Sequence, residues 1–200
     1  VVDTPRTTFE THPWSLGGGG ASELKEQIDN RTASQLRSYV ETIGFGAILG
    51  ESSAFSGPSE STLFNKLPVK YCKSLVEGEM VRNWGVESDL NVLFPYSRSI
   101  ELQMDKEIKD WLWNLRTILW SRNDFQKRTY KEAGRAYWEY HQIPADRYLS
   151  PLSIGFPLVA THNHFVLDRG GKVFTQGAPI IKLPMEANEE DYLSLLGLLN

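Results

Sequence analysis

His162 and His164 stand two residues apart, with Asp168 close behind them in the chain. On a strand, positions i and i+2 share one face, so both imidazoles could reach a single metal ion. No third or fourth ligand is evident, because nothing in the sequence places His12 or His141 nearby. The alternative is a pair of polar residues on a sheet face, where they could touch nucleic acid. Gly44, Gly46 and Gly50 give a glycine-rich segment of the kind that cradles phosphates. Its spacing is not G-x-G-x-x-G, and a Ser/Pro loop follows instead of a helix. A glycine-spaced strand or bulge is therefore the stronger reading. Cys72 is the single cysteine, which excludes a disulfide framework and a cysteine-rich zinc site and leaves a small buried apolar residue. No Gly-x-Ser-x-Gly elbow occurs, and no metal site is assigned.

The cations carry more information. Residues 111–135 hold Arg116, Arg122, Lys127, Arg128, Lys131 and Arg135 against only Asp124 and Glu132. Residues 1–65 hold three Arg and one Lys against eight acids, and residues 186–191 are acidic again. The net charge is −4, yet a basic middle between acidic ends permits a DNA face without a basic protein. Guanidinium groups bind phosphates and clamp guanine edges. Trp111, Trp113, Trp120, Phe125, Tyr130, Tyr137, Trp138 and Tyr140 interleave with these cations, and aromatic faces can stack on exposed bases. Trp and Leu at helical spacing are usually core, so most of these rings are expected to be buried. The cations are then either DNA contacts or a solvated helix face. Arg169 and Lys172, flanking Gly170 and Gly171, place two more cations where a hairpin tip is predicted, either a groove contact or a soluble turn.

The elements that must carry these residues follow from periodicity. Pro13 and residues 17–20, all glycine, separate an extended N-terminal piece from a helix with Ser22 as its expected N-cap and Leu24 and Ile28 as its apolar stripe. Leu36, Tyr39 and Val40 predict a second short helix. Residues 43–49 read as a strand and 51–60 as a loop. Residues 75–84 read as a strand or short helix leading to a strand over 91–94, which Pro95 ends. Ile100, Met104, Ile108, Trp111, Leu112, Leu115 and Leu119 recur at three- and four-residue steps, predicting helix over 100–121. A second helical piece is predicted over 127–140. Residues 158–167 and 173–183 form β-rich runs joined as a hairpin. Asn188 leads into a final helix, Glu189–Leu199, which ends on apolar residues without a stop signal. That ending, and the lack of an initiator Met, create the expectation that the natural chain continues.

This order does not alternate βαβ, so the fold class expected is α+β, with mixed helices and a mostly antiparallel sheet. At 200 residues the chain can bury one good core. It reads as one segment, 1–200, with a sub-boundary near 41–66. No run approaches the roughly 20 apolar residues of a membrane span, and no signal peptide is visible. Cysteine usage fits a reducing cytoplasm.

Several blocks resemble one family. His12-Pro-Trp-Ser-Leu-Gly-Gly-Gly19, Leu75-Val-Glu-Gly-Glu-Met-Val-Arg-Asn-Trp84 and Phe94-Pro-Tyr96 are similar to parts of the PglX adenine-specific DNA methyltransferases of BREX phage-defence systems. Leu112-Trp-Asn-Leu-Arg116, Trp138-Glu-Tyr-His-Gln142 and Ala178-Pro-Ile-Ile-Lys-Leu-Pro184 continue the likeness. The most specific block is Val159-Ala-Thr-His-Asn-His-Phe-Val-Leu-Asp-Arg-Gly-Gly-Lys-Val-Phe174, and Leu195-Leu-Gly-Leu-Leu-Asn200 closes it. More loosely, the chain resembles the specificity region of fused restriction–modification methyltransferases.

The resemblance implies a target-recognition segment that grips double-stranded DNA for a catalytic methyltransferase domain of the same parent chain. In such proteins an Asn-Pro-Pro-Tyr loop holds the target adenine and S-adenosylmethionine supplies the methyl group. No Pro-Pro pair occurs here, so the cofactor is implied for the parent and none for this chain. No catalytic residue carries over. Two rivals stand beside this reading. One is a module that docks other defence proteins or a phage inhibitor. The other is a metal-dependent nuclease using His162, His164 and Asp168.

Overall fold

A computed structural model describes residues 6–10, 20–62, 64–82 and 84–200. The His12–Gly19 block of the family resemblance lies outside the described residues. The chain divides into two units, residues 1–39 and 40–200.

In the first unit, a 3₁₀ turn, Arg6–Phe9, precedes helix α1, Ala21–Arg31. The helix starts from Gly20 at φ 87°, so Ser22 lies one residue inside it and is not the N-cap. Lys25 pairs with Asp29 one turn on, at 2.5 Å. Leu24 and Ile28, the expected apolar stripe, are exposed. The short helix expected after it is a single 3₁₀ turn, Leu36–Ser38.

The second unit begins with β1, Thr42–Gly44, a one-turn helix α2, Ser52–Phe55, and β2, Ser56–Pro58. Residues 51–60, expected as loop, thus contain a helical turn and a strand. Ala54 and Phe55 are buried, and that burial outweighs the turn-forming serines. Next come β3, Cys72–Val76, the short pair β4, Val81–Arg82, and β5, Gly85–Val86, and then β6, Leu90–Leu93. Helices α3, Lys106–Leu112, and α4, Arg116–Trp120, follow, with α5, Asp146–Leu149, further on. The chain ends with β7, Ser153–Gly155, β8, Val166–Asp168, β9, Lys172–Phe174, β10, Ile180–Lys182, and α6, Glu189–Leu199.

The α+β class expected from the sequence is the class observed. One four-stranded sheet has the order β1-β10-β7-β8 and is antiparallel throughout. Ile43, Ile181, Ile154 and Leu167 lie opposite one another in turn, forming an aliphatic row across it. The other has the order β2-β6-β3-β9 and is antiparallel except where β9 runs parallel to β3.

That topology corrects the predicted hairpin. β8 and β9 do not pair with each other; β8 belongs to the first sheet and β9 to the second. Gly170 and Gly171 do take positive φ, 95° and 87°. Their freedom lets the chain step from one sheet to the next instead of reversing along one. The link is pinned by buried Asp168, which accepts hydrogen bonds from Gly170 N at 3.1 Å and Lys172 Nζ at 2.5 Å.

The main core joins Leu75, Leu93, Ile108, Leu112 and Leu119 to an aromatic cluster. Phe55 and Tyr96 each meet Tyr140 edge-on, with ring centroids 5.3 Å apart. Two of its polar tips are satisfied: Tyr140 Oη donates to Leu93 O at 2.6 Å, and Trp138 Nε1 to Gln103 O at 2.9 Å. A second cluster gathers Val76, Val166, Phe174 and Ile180.

Two helix predictions are corrected here. The first helical piece starts only at Lys106, because residues 96 and 102 form a bridge and Ile100 sits at φ 62°. The predicted helix over 127–140 is a series of turns. Gly134 takes φ 68°, which interrupts a helical path, and Tyr130, Tyr137, Trp138 and Tyr140 are buried from within these turns. Helix α6 matches the sequence prediction, opening with a capping box between Asn188 and Asp191. Among the described residues, no helix is long and apolar enough to cross a membrane.

Candidate nucleic-acid interface

The basic run folds into a braced turn. A bridge between Asn123 and Thr129 closes it. Inside, Asp124 accepts backbone hydrogen bonds from Gln126 N at 2.8 Å and Arg128 N at 3.0 Å, and the Arg128 guanidinium grips the same carboxylate through Nε and Nη2 at 3.1 and 2.8 Å. Burial pushes the Asp124 carboxyl up, but the donors from Arg128 and Gln126 outweigh it and hold the group below the usual carboxylate range. Glu132 supports the far side by accepting from Thr129 N and Oγ1, both at 2.8 Å.

Beneath the turn, Tyr130 is sandwiched between two guanidinium groups, those of Arg122 and Arg135, each 4.2 Å from its ring centroid. Arg122 donates to four backbone carbonyls, those of Leu119, Leu49, Tyr137 and Glu139, at 2.9 to 3.0 Å. Burial pushes its guanidinium pKa down. Arg135 is held by Glu139 at 2.6 Å and by the carbonyls of Tyr140 and His141. These two cations point inward and brace the turn.

Lys127, Arg128 and Lys131 are exposed on its outside. In the same turn Phe125 is 71% exposed, its ring tilted 67° to that of His141 with centroids 4.5 Å apart. Burial, then Arg135 and Arg122, push the His141 imidazole pKa down, which favours its neutral form. Phe125 is one of the aromatic residues weighed for base stacking in the sequence, and it is exposed where most of those rings were expected to be buried. Arg116 lies apart from this turn, at the start of α4, stacked 4.1 Å over the exposed ring of Trp113 and donating to Trp113 O. Arg169 and Lys172 lie on the link between the sheets, paired with Glu189 and Asp168, each at 2.5 Å.

The other motifs resolve locally. His162 and His164 precede β8 in a loop, not on a strand as expected, with ring centroids 6.4 Å apart. Asp168 is buried against Lys172, and no group of three or more His, Cys, Asp or Glu residues able to hold a metal occurs among the described residues. In the glycine segment, a Cβ on Gly46 would lie 2.5 Å from Phe174 O, and one on Gly44 would lie 2.6 Å from the Arg147 guanidinium. The space those glycines create is filled by the protein itself.

No family model matches the chain. It is 39% identical over 195 residues to the adenine-specific methyltransferase PglX of Streptomyces coelicolor. The alignment covers 96% of this chain and 16% of that relative's length. The chain is therefore PglX-like over nearly its whole length, corresponding to about a sixth of the relative it matches.

Proposed function

We propose that this segment recognises double-stranded DNA for an adenine-specific methyltransferase, acting in the cytoplasm as part of a BREX-type phage-defence system. Its catalytic, S-adenosylmethionine-binding domain would lie elsewhere in the parent chain, ahead of Val1. Among the described residues, the glycine segment 44–50 does not fit that cofactor, because it is packed against Phe174 and Arg147. No step of methyl transfer is assigned to this chain.

The observation that carries the reading is the turn 123–131, where Lys127, Arg128, Lys131 and Phe125 are all exposed on a segment braced by Asp124 and Glu132. Such a turn supplies phosphate contacts and an aromatic face for a base or a groove wall. Arg116, stacked on Trp113, and Arg169 and Lys172 add cations on other surfaces, whereas Arg122 and Arg135 act by holding the turn. The experiment is duplex binding by fluorescence anisotropy. Reversing charge at both Arg128 and Lys131 to Glu is expected to weaken binding by at least about tenfold, with the fold unchanged by circular dichroism. Binding by the unaltered protein is expected to fall steeply with salt, since phosphate contacts release counterions. Unchanged affinity in the double variant, a flat salt response, or methylation of DNA by this segment alone would each overturn the proposal.

A second reading has one observation in its favour. Trp113, Leu115 and Ile118 form an exposed apolar surface, with Leu115 and Ile118 beside a cleft walled by Ala54 and Leu119. A partner protein of the defence system would use that face. Ile118→Glu should then abolish partner capture, while the double variant at Arg128 and Lys131 should leave it intact.

A further inference from the structure

A hollow of about 430 Å³ opens in the second unit, walled by both four-stranded sheets. Lys73 and Lys172 reach it from the second sheet, Lys182 and Asp168 from the first, Arg147 from α5, and Arg98 from the loop after β6. Five cations thus share one lining with a single carboxylate, and that carboxylate is already bonded to Lys172 at 2.5 Å.

Among the described residues, the remaining cations form no ion pair. Lys182 is 4% exposed and, among the described residues, donates to the carbonyls of Ser150 and Leu152, at 2.6 and 2.7 Å. Lys73 places its Nζ 3.6 Å over the Phe94 ring. Arg147 donates through Nη1 to Phe45 O, and its Nε is buried with no hydrogen-bond partner among the described residues. Arg98 is exposed at the rim, with no ion pair among the described residues. Buried charge left unpaired is costly, and a buried unsatisfied donor in a folded chain calls for an explanation. Burial pushes both lysines down, Lys182 to about 8. An arriving anion would reverse that pressure.

We propose that this hollow is a binding site for a phosphate group. One carboxylate ligand would neutralise a single cation of the excess, whereas a phosphate monoester brings close to two charges and three acceptor oxygens to cations converging from several directions. The volume lies in the range of small-ligand sites and would admit a nucleotide. None of the six cations of the basic run lines the hollow, so the site stands apart from the proposed DNA-binding turn and does not depend on it.

The test is calorimetric titration of the protein with inorganic phosphate and with adenosine 5′-monophosphate, at ionic strength held constant with sodium chloride. Saturable binding is expected, weakened about tenfold in each of Arg98→Ala and Lys73→Met, the loss of one charge-assisted contact. Lys182→Met removes two internal hydrogen bonds as well and is not relied upon. Near-UV circular dichroism confirms the fold of the variants. Arg128→Glu is expected to leave phosphate binding unchanged, which separates this site from the turn. A short duplex that competes with phosphate identifies the DNA backbone as the source of the group. If only the mononucleotide competes, the source is a free nucleotide. Absence of saturation by either probe at millimolar concentration overturns the proposal, as does unchanged affinity in both variants.

Discussion

Arg122 and Arg128 lie six positions apart in the same basic run, yet their guanidinium groups face opposite ways. Arg128 is exposed and paired with Asp124 alone, whereas Arg122 gathers carbonyls from three separate stretches of chain. Removing Arg122 leaves those carbonyls short of a donor, and a buried unsatisfied group costs about 1–3 kcal/mol. Arg122→Met is therefore expected to lower stability by about 3 kcal/mol in urea denaturation, against less than about 1 kcal/mol for Arg128→Met. Equal losses for the two would remove Arg122 from its bracing role. Charge counting along the sequence locates the basic region correctly but cannot divide it into inward and outward members. That division depends on Tyr130, which turns inward and takes Arg122 and Arg135 with it.

At the level of elements, local signals were legible wherever the residues that decide an element lie within it. Helix α6 is an example, with its capping box and acidic first turn. Residues 127–140 and the link 168–172 are the opposite case. Their apolar and glycine patterns fit a helix and a hairpin, but distant residues decide their form. β9 follows β3 because Leu75 and Val76 lie opposite Val173 and Phe174, about a hundred positions away in the chain. Gly46 shows the same dependence. Ala47 N donates to Phe174 O at 2.7 Å, and that approach leaves no room for a Cβ on its neighbour. Gly46→Ala is expected to destabilise the fold by about 1–3 kcal/mol, as other overpacked sites do, measured by thermal unfolding. A neutral result would show that β9 can shift away without loss.

For the whole molecule, the charged hollow between the sheets gives stability a characteristic pH dependence. Burial pushes Lys182 down to about 8, although Asp168 and Asp146 pull it up. Between about pH 8 and pH 10 the unfolded chain keeps a proton that folded Lys182 has released, so stability rises with pH across that window. Lys73, also lowered by burial, adds in the same direction. Above about pH 10 the sign reverses, because buried Tyr96, Tyr140 and Tyr148 are raised by burial and stay protonated in the fold while unfolded tyrosines ionise. The rise is expected to be on the order of 1 kcal/mol. Urea midpoints at pH 7.5, 9 and 10 would measure it, and it should shrink to the Lys73 part in Lys182→Met. A flat profile in the unaltered protein would sink this account.

Composition and periodicity were sufficient for the α+β class, the position of the basic run and the terminal helix. Motif blocks were sufficient for the likeness to PglX. Each of these depends on residues near one another in the chain or on their sum. The tertiary fold alone assigned β8 and β9 to different sheets, turned Arg122 and Arg135 inward, left Phe125 exposed, and brought Lys73, Arg98, Arg147, Lys172 and Lys182 around one cavity. Those outcomes come from packing between segments as far apart in the chain as Lys73 and Lys182, and no local pattern encodes which of them will meet.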